Sequence, residues 1–96
     1  MTEPIYDYDL AQALDGPEAI AVFLTDALET GDAAYIAKAM EVVARAKGMS
    51  ELARETGLAR EQLYTSFSVR GNPTLKTTQA VMRALGVDLT ARAHAK

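Results

Sequence analysis

Cysteine and tryptophan are absent from this sequence, and no lysine or arginine occurs before Lys38. Without cysteine there can be no disulfides and no thiolate metal sites, which fits a reducing cytosol. Aromatics are few, so the core must come from Leu, Ile, Val, Met and many alanines. Alanine has the highest helix propensity and loses no side-chain entropy, so the composition points to helices. No apolar run approaches the roughly 18 residues of a membrane span, and the acidic beginning lacks the basic region of a signal peptide. A cytoplasmic location is therefore expected. Ninety-six residues make one domain, because a second would have too little apolar surface to bury.

The materials of catalysis are missing too. His94 is the single histidine, and no nucleophile–base pair accompanies it. Asp7 and Asp9 are spaced like metal ligands, but no third ligand or glycine-shaped loop supports them. No glycine-rich loop precedes Lys-Ser or Lys-Thr, so a phosphate cradle is not indicated. The chain is expected not to be an enzyme and to hold no cofactor or metal.

Charge, by contrast, is present and unevenly placed. Residues 1–37 carry Glu3, Asp7, Asp9, Asp15, Glu18, Asp26, Glu29 and Asp32 with no base, whereas residues 38–96 carry all ten bases against five acids. The two parts hold −8 and +5, within a net charge of −3. Such asymmetry suggests two surfaces, one for a polyanion and one for a basic partner, or else a merely solvated acidic face.

Helix signals recur along the chain. Residues 1–15 show no firm period and read as an acidic arm. Residues 16–47 hold two helices. Asp15-Gly16-Pro17-Glu18 starts the first, with proline where no N–H donor is needed, and Ile20, Phe23, Leu24, Ala27 and Leu28 follow at helical spacing until Gly31. Asp32 caps the second, whose apolar residues are Ile36, Ala39, Met40 and Val43, and Gly48 ends it. Ser50 is expected to cap a third, short helix through Thr56, and a fourth runs from Arg60 to Ser68. The run Val69-Arg70-Gly71-Asn72-Pro73 is a turn. Thr74 caps a fifth helix, 74–85, with Leu75, Thr78, Val81, Met82 and Leu85 inward. Val87, Leu89 and Ala91 then alternate with polar residues, a signal for a short C-terminal strand.

Residues 49–68 have the parts of a helix-turn-helix. Ala53 sits where two helices would cross, and a larger side chain there would force them apart. Gly57 stands at the tight turn, where a positive φ favours glycine. Leu52, Leu58 and Leu63 form an apolar wedge. The fourth helix would enter the major groove, presenting Ala59, Arg60, Glu61, Tyr64, Thr65 and Ser68. Arg60 can donate two parallel bonds to a guanine, and Gln62 or Thr65 can add base or phosphate contacts. Ser50, Arg54, Arg70, Asn72 and Lys76 lie near helix ends and the turn, where phosphates would pass. The competing reading has Arg60 and Glu61 as a solvated first turn, with Tyr64 and Phe67 in the core.

The run from Ala46 to Phe67, then Gly71-Asn72-Pro73 and Arg83–Gly86, resembles the addiction-module antidote family. So does the N-terminal half, through Tyr8-Asp9, Leu14, Ala19-Ile20, Leu24, Ala27-Leu28-Glu29 and Gly31-Asp32. The chain departs from the family's usual pattern at Ala59, where serine is common as the helix cap, and at Phe67–Arg70. The resemblance implies an all-α, five-helix, lambda-repressor-like domain. It also implies an antitoxin that neutralises a small basic RelE-like toxin and represses its own operon by binding double-stranded DNA, for which a homodimer is expected. The alternatives are a stand-alone prophage-type transcriptional regulator and a helical interaction module. The acidic arm and first helix suit the toxin, with Tyr6 and Tyr8 as anchors and Asp7, Asp9 and Asp15 as rim charges; otherwise the tyrosines cover the protein's own core.

Overall fold

The computed structural model describes residues 14–68 and 71–93. Within them the chain is all-helical, with five helices and no strand: α1 (Pro17–Glu29), α2 (Ala33–Lys47), α3 (Met49–Thr56), α4 (Arg60–Ser66) and α5 (Leu75–Ala84). The packing follows chain order, α1 on α2, α2 on α3 and α3 on α4, and α5 returns to lie against α3. The short central α3 therefore touches three neighbours.

Local chemistry sets the helix ends. Pro17 opens α1 at a position that needs no donor. The Asp32 carboxylate accepts the Ala34 and Tyr35 N–H groups at 3.0 and 3.3 Å, capping α2. Thr74 Oγ1 accepts Thr77 N–H at 3.1 Å and caps α5. Gly48, at φ 111°, both ends α2 and precedes α3. One residue thus separates two helices, which leaves no room for a separate cap. Ser50, expected to be that cap, is instead the exposed second residue of α3 and makes no capping bond.

Three more expectations are corrected. The fourth helix ends at Ser66, because Phe67 leaves helical geometry (φ −103°, ψ 15°) and the next N–H, that of Ser68, turns back to Thr65 O at 3.3 Å. Leu75, expected inward, is 64% exposed as the first residue of α5, and Thr77 is buried in its place. The inward stripe of α5 is Thr77, Val81, Met82 and Leu85, a spacing of four, five and eight residues from the first. The short strand is not formed among the described residues; Val87 and Leu89 instead pack separately on the core.

The core itself gathers from every helix. Ile20, Leu24, Met40, Val43, Leu52, Leu63, Phe67, Val81, Met82 and Leu85 are buried, with Ala27, Ala39 and Ala44 filling the close approaches. Phe67 is the largest fully buried side chain. Leu28, which shares the helical spacing of α1, is 40% exposed at the edge of the stripe. The Arg92 guanidinium meets the Glu29 carboxylate and so ties the C-terminal segment to α1.

Candidate nucleic-acid interface

Two short helices, α3 and α4, are joined by Gly57-Leu58-Ala59. Gly57 takes the left-handed conformation (φ 79°, ψ 6°), and its N–H bonds to Ala53 O at 2.9 Å. Thr56 braces the same corner. Its Oγ1 donates to Leu52 O at 2.7 Å and accepts Leu58 N–H at 3.2 Å. Leu52 and Leu63 are fully buried beneath the corner, while Leu58 and Ala53 are half-buried against the core. The wedge and the small residue expected at this crossing are in place.

With Leu63 and Phe67 fixed inward, the opposite side of α4 is left to solvent. Arg60, Glu61, Gln62 and Thr65 are exposed, as is Ala59 just before them. Ala59 is extended (φ −71°, ψ 147°) and offers no side-chain oxygen, so α4 begins without a side-chain cap. Ser50 and Arg54 on α3, and Asn72 and Lys76 around the start of α5, are exposed as well. Ser68 is half-buried and its hydroxyl donates to Thr65 O at 2.9 Å. Arg70 lies outside the described residues. Of the residues expected to meet a basic partner, Asp15 is exposed, and Tyr6, Asp7, Tyr8 and Asp9 lie outside the described residues.

Tyr64 answers to both earlier readings: it is half-buried and packs against the core, yet its hydroxyl remains within reach of Arg60. Arg60 Nη2 donates to Tyr64 Oη at 3.4 Å. Arg45 of α2 lies over the same ring, 5.1 Å from its centre. Sequence spacing offers no signal for Arg45, because its proximity to α4 arises only when α2 and α4 converge on α3.

Among the described residues no three His, Asp or Glu side chains gather into a metal-binding group. No helix among them is long and apolar enough to cross a membrane. Among the described residues, what remains is an all-helical fold built around a braced two-helix corner, with a polar and partly cationic helix face turned outward.

The chain belongs to the family described as probable addiction module antidote protein, whose family model matches residues 4–93. It is also similar to a protein of Haemophilus influenzae described as uncharacterized. The two are 40% identical over 87 residues, covering 91% of this chain and 90% of the relative. No solved structure gives a significant match. An antidote family implies, in general, a toxin as counterpart.

Proposed function

We propose that the chain is an antitoxin that neutralises a small basic RelE-like toxin and represses its own operon, with the α3–turn–α4 corner serving as a DNA-binding helix-turn-helix in a lambda-repressor-like domain. The observation that carries the DNA half is the division of α4: Leu63 is wholly buried while Arg60, Glu61, Gln62 and Thr65 face out. An α-helix with its side chains is about 10–12 Å across, which fits a major groove about 12 Å wide. In that pose Arg60 reads a guanine edge, Gln62 and Thr65 contact bases or phosphates, and Ala59, Glu61, Tyr64 and Ser68 border them. Ser50, Arg54, Arg70, Asn72 and Lys76 fix the register on the backbone. A homodimer contacts two half-sites about 34–36 Å apart.

The toxin half rests on family membership and on the −8 charge of residues 1–37. Complementary charge speeds encounter, and buried aromatics retain the partner. Tyr6 and Tyr8 serve as anchors, with Asp7, Asp9 and Asp15 around them. Deleting residues 1–10 separates the two functions. Co-expression with a short basic protein encoded next to this gene should then no longer restore growth, while promoter repression in a reporter strain and the melting temperature persist. A deletion that still restores growth rules the arm out. A neighbouring basic protein that is harmless to cells, with repression intact, favours the stand-alone regulator.

A further inference from the structure

Arg45 stands on α2, outside the helix pair, yet it shares one aromatic ring with Arg60. The two guanidinium carbons lie 5.1 and 5.8 Å from the centre of the Tyr64 ring. Both are within the range of about 6 Å at which a cation is drawn to an aromatic face. Tyr64 Oη accepts a hydrogen bond from Arg60 at 3.4 Å. Arg45 Nε in turn donates to Glu41 Oε2 at 3.0 Å, and Glu41 also pairs with Lys38 at 3.4 Å. The result is a relay of contacts, Glu41 to Arg45 to Tyr64 to Arg60, running from α2 to the outward face of α4.

Each link restrains the next. Glu41 sits one helical turn before Arg45 and limits where its guanidinium can point. Arg45 bears on a ring that is half-buried and packed against the core, which limits its freedom. The ring then presents its hydroxyl to Arg60, one turn before it on α4. A free arginine side chain explores many rotamers, but two parallel bonds to a base edge require one planar orientation. Two guanidinium groups at one ring also repel each other, and the ring's negative face offsets only part of that repulsion.

Resting on the DNA reading of α4, we propose that Arg45 is a positioning residue of the operator-reading surface: acting through Tyr64, it fixes the orientation from which Arg60 meets its base pair. This assigns a role in sequence discrimination to a residue on α2 that does not itself read a base. A phosphate contact by Arg45 would leave a different signature, since backbone contacts add affinity for every sequence alike.

The test is a panel of duplexes from the gene's own promoter, each with one base pair changed, titrated by fluorescence anisotropy against the full chain. Wild type is compared first with a random duplex; no preference there refutes the DNA reading itself, separately from the role of Arg45. Given a preference, Arg60→Ala should flatten the response at one position in each half-site. Arg45→Met should weaken discrimination at that same position, by about three- to tenfold, with the salt slope unchanged. Tyr64→Phe, which keeps the ring and loses the hydroxyl, should weaken it there as well. Arg45→Met that lowers affinity for all duplexes equally, with a shallower salt slope, would make Arg45 a phosphate contact and overturn the proposal. So would unaltered discrimination, or a loss at some other position. If Arg45→Met fails to fold, Tyr64→Phe decides: full discrimination at the Arg60 position overturns the proposal.

Discussion

Ala59 is the residue immediately before α4, held extended and lacking any side-chain acceptor for the N–H groups of the first turn. Serine in its place would supply that acceptor. Ala59→Ser is expected to stabilise the protein by about 1 kcal/mol and to raise its melting temperature by about 4–8 °C. Calorimetry on the two proteins checks this. Two nearby glycines are needed for different reasons. Nothing lies within 4 Å of the place a Cβ would occupy on Gly57, so there the cost of a side chain is the left-handed backbone alone. Gly71 has no such backbone strain, but a Cβ on it would overlap the carbonyl groups of Thr65 and Ser66. Gly57→Ala is expected to cost about 1–2 kcal/mol. Gly71→Ala is expected to cost about 1–3 kcal/mol, because backbone carbonyls at a helix end cannot rotate away. A Gly57→D-Ala protein made by ligation isolates the backbone cost at that position, since a D residue suits a positive φ; it should match wild type. Gly57 was legible in the sequence as the glycine of a tight turn. The closeness of Gly71 was not, because the atoms it must avoid come from the end of α4 and local spacing does not encode their approach.

At the scale of whole helices, amphipathic spacing located all five with starts and ends close to those found. It failed in two informative ways. On α5 the run Leu75-Lys76-Thr77-Thr78 allows two phases. The apolar leucine favours one, but burial on α3 selects the phase that places Thr77 inside. Thr77 tolerates burial because its hydroxyl accepts from Thr74 Oγ1 at 3.2 Å. At residues 87–92 alternation suggests a strand, yet Val87 and Leu89 instead pack against the core. The two leucines Leu63 and Leu75 test the observed phase. Leu63→Ala, at a fully buried site, is expected to cost about 2–5 kcal/mol. Leu75→Ala, at the exposed start of α5, is expected to change stability by no more than about 0.5 kcal/mol. Urea titrations of both would expose a misassigned face by reversing that order.

For the whole molecule, the exposed charges of α1 are all acidic, whereas at the corner exposed bases stand beside the exposed acids Glu55 and Glu61. The acids Glu18, Asp26, Glu29 and Asp32 are exposed on α1 and at the start of α2, whereas Arg54, Arg60 and Lys76 are exposed on the corner and the start of α5. The sequence made the corner and its outward residues legible, because Ala53, Gly57, Leu52 and Leu63 are constrained within twelve residues of one another. It did not reveal Arg45, whose place beside Tyr64 depends on how three helices converge. If the corner binds DNA as proposed, its cations displace counterions, and affinity should fall steeply with salt while preference for the right sequence survives. The most direct test is anisotropy of a labelled promoter fragment against a shuffled fragment between 50 and 200 mM salt. If six or more phosphates are neutralised, promoter affinity should drop by about a thousandfold or more over that range. Tighter binding to the promoter than to the shuffled duplex at every salt concentration is the predicted result. Equal affinity for the two fragments, or binding indifferent to salt, would contradict the assignment of the corner as a DNA-reading surface.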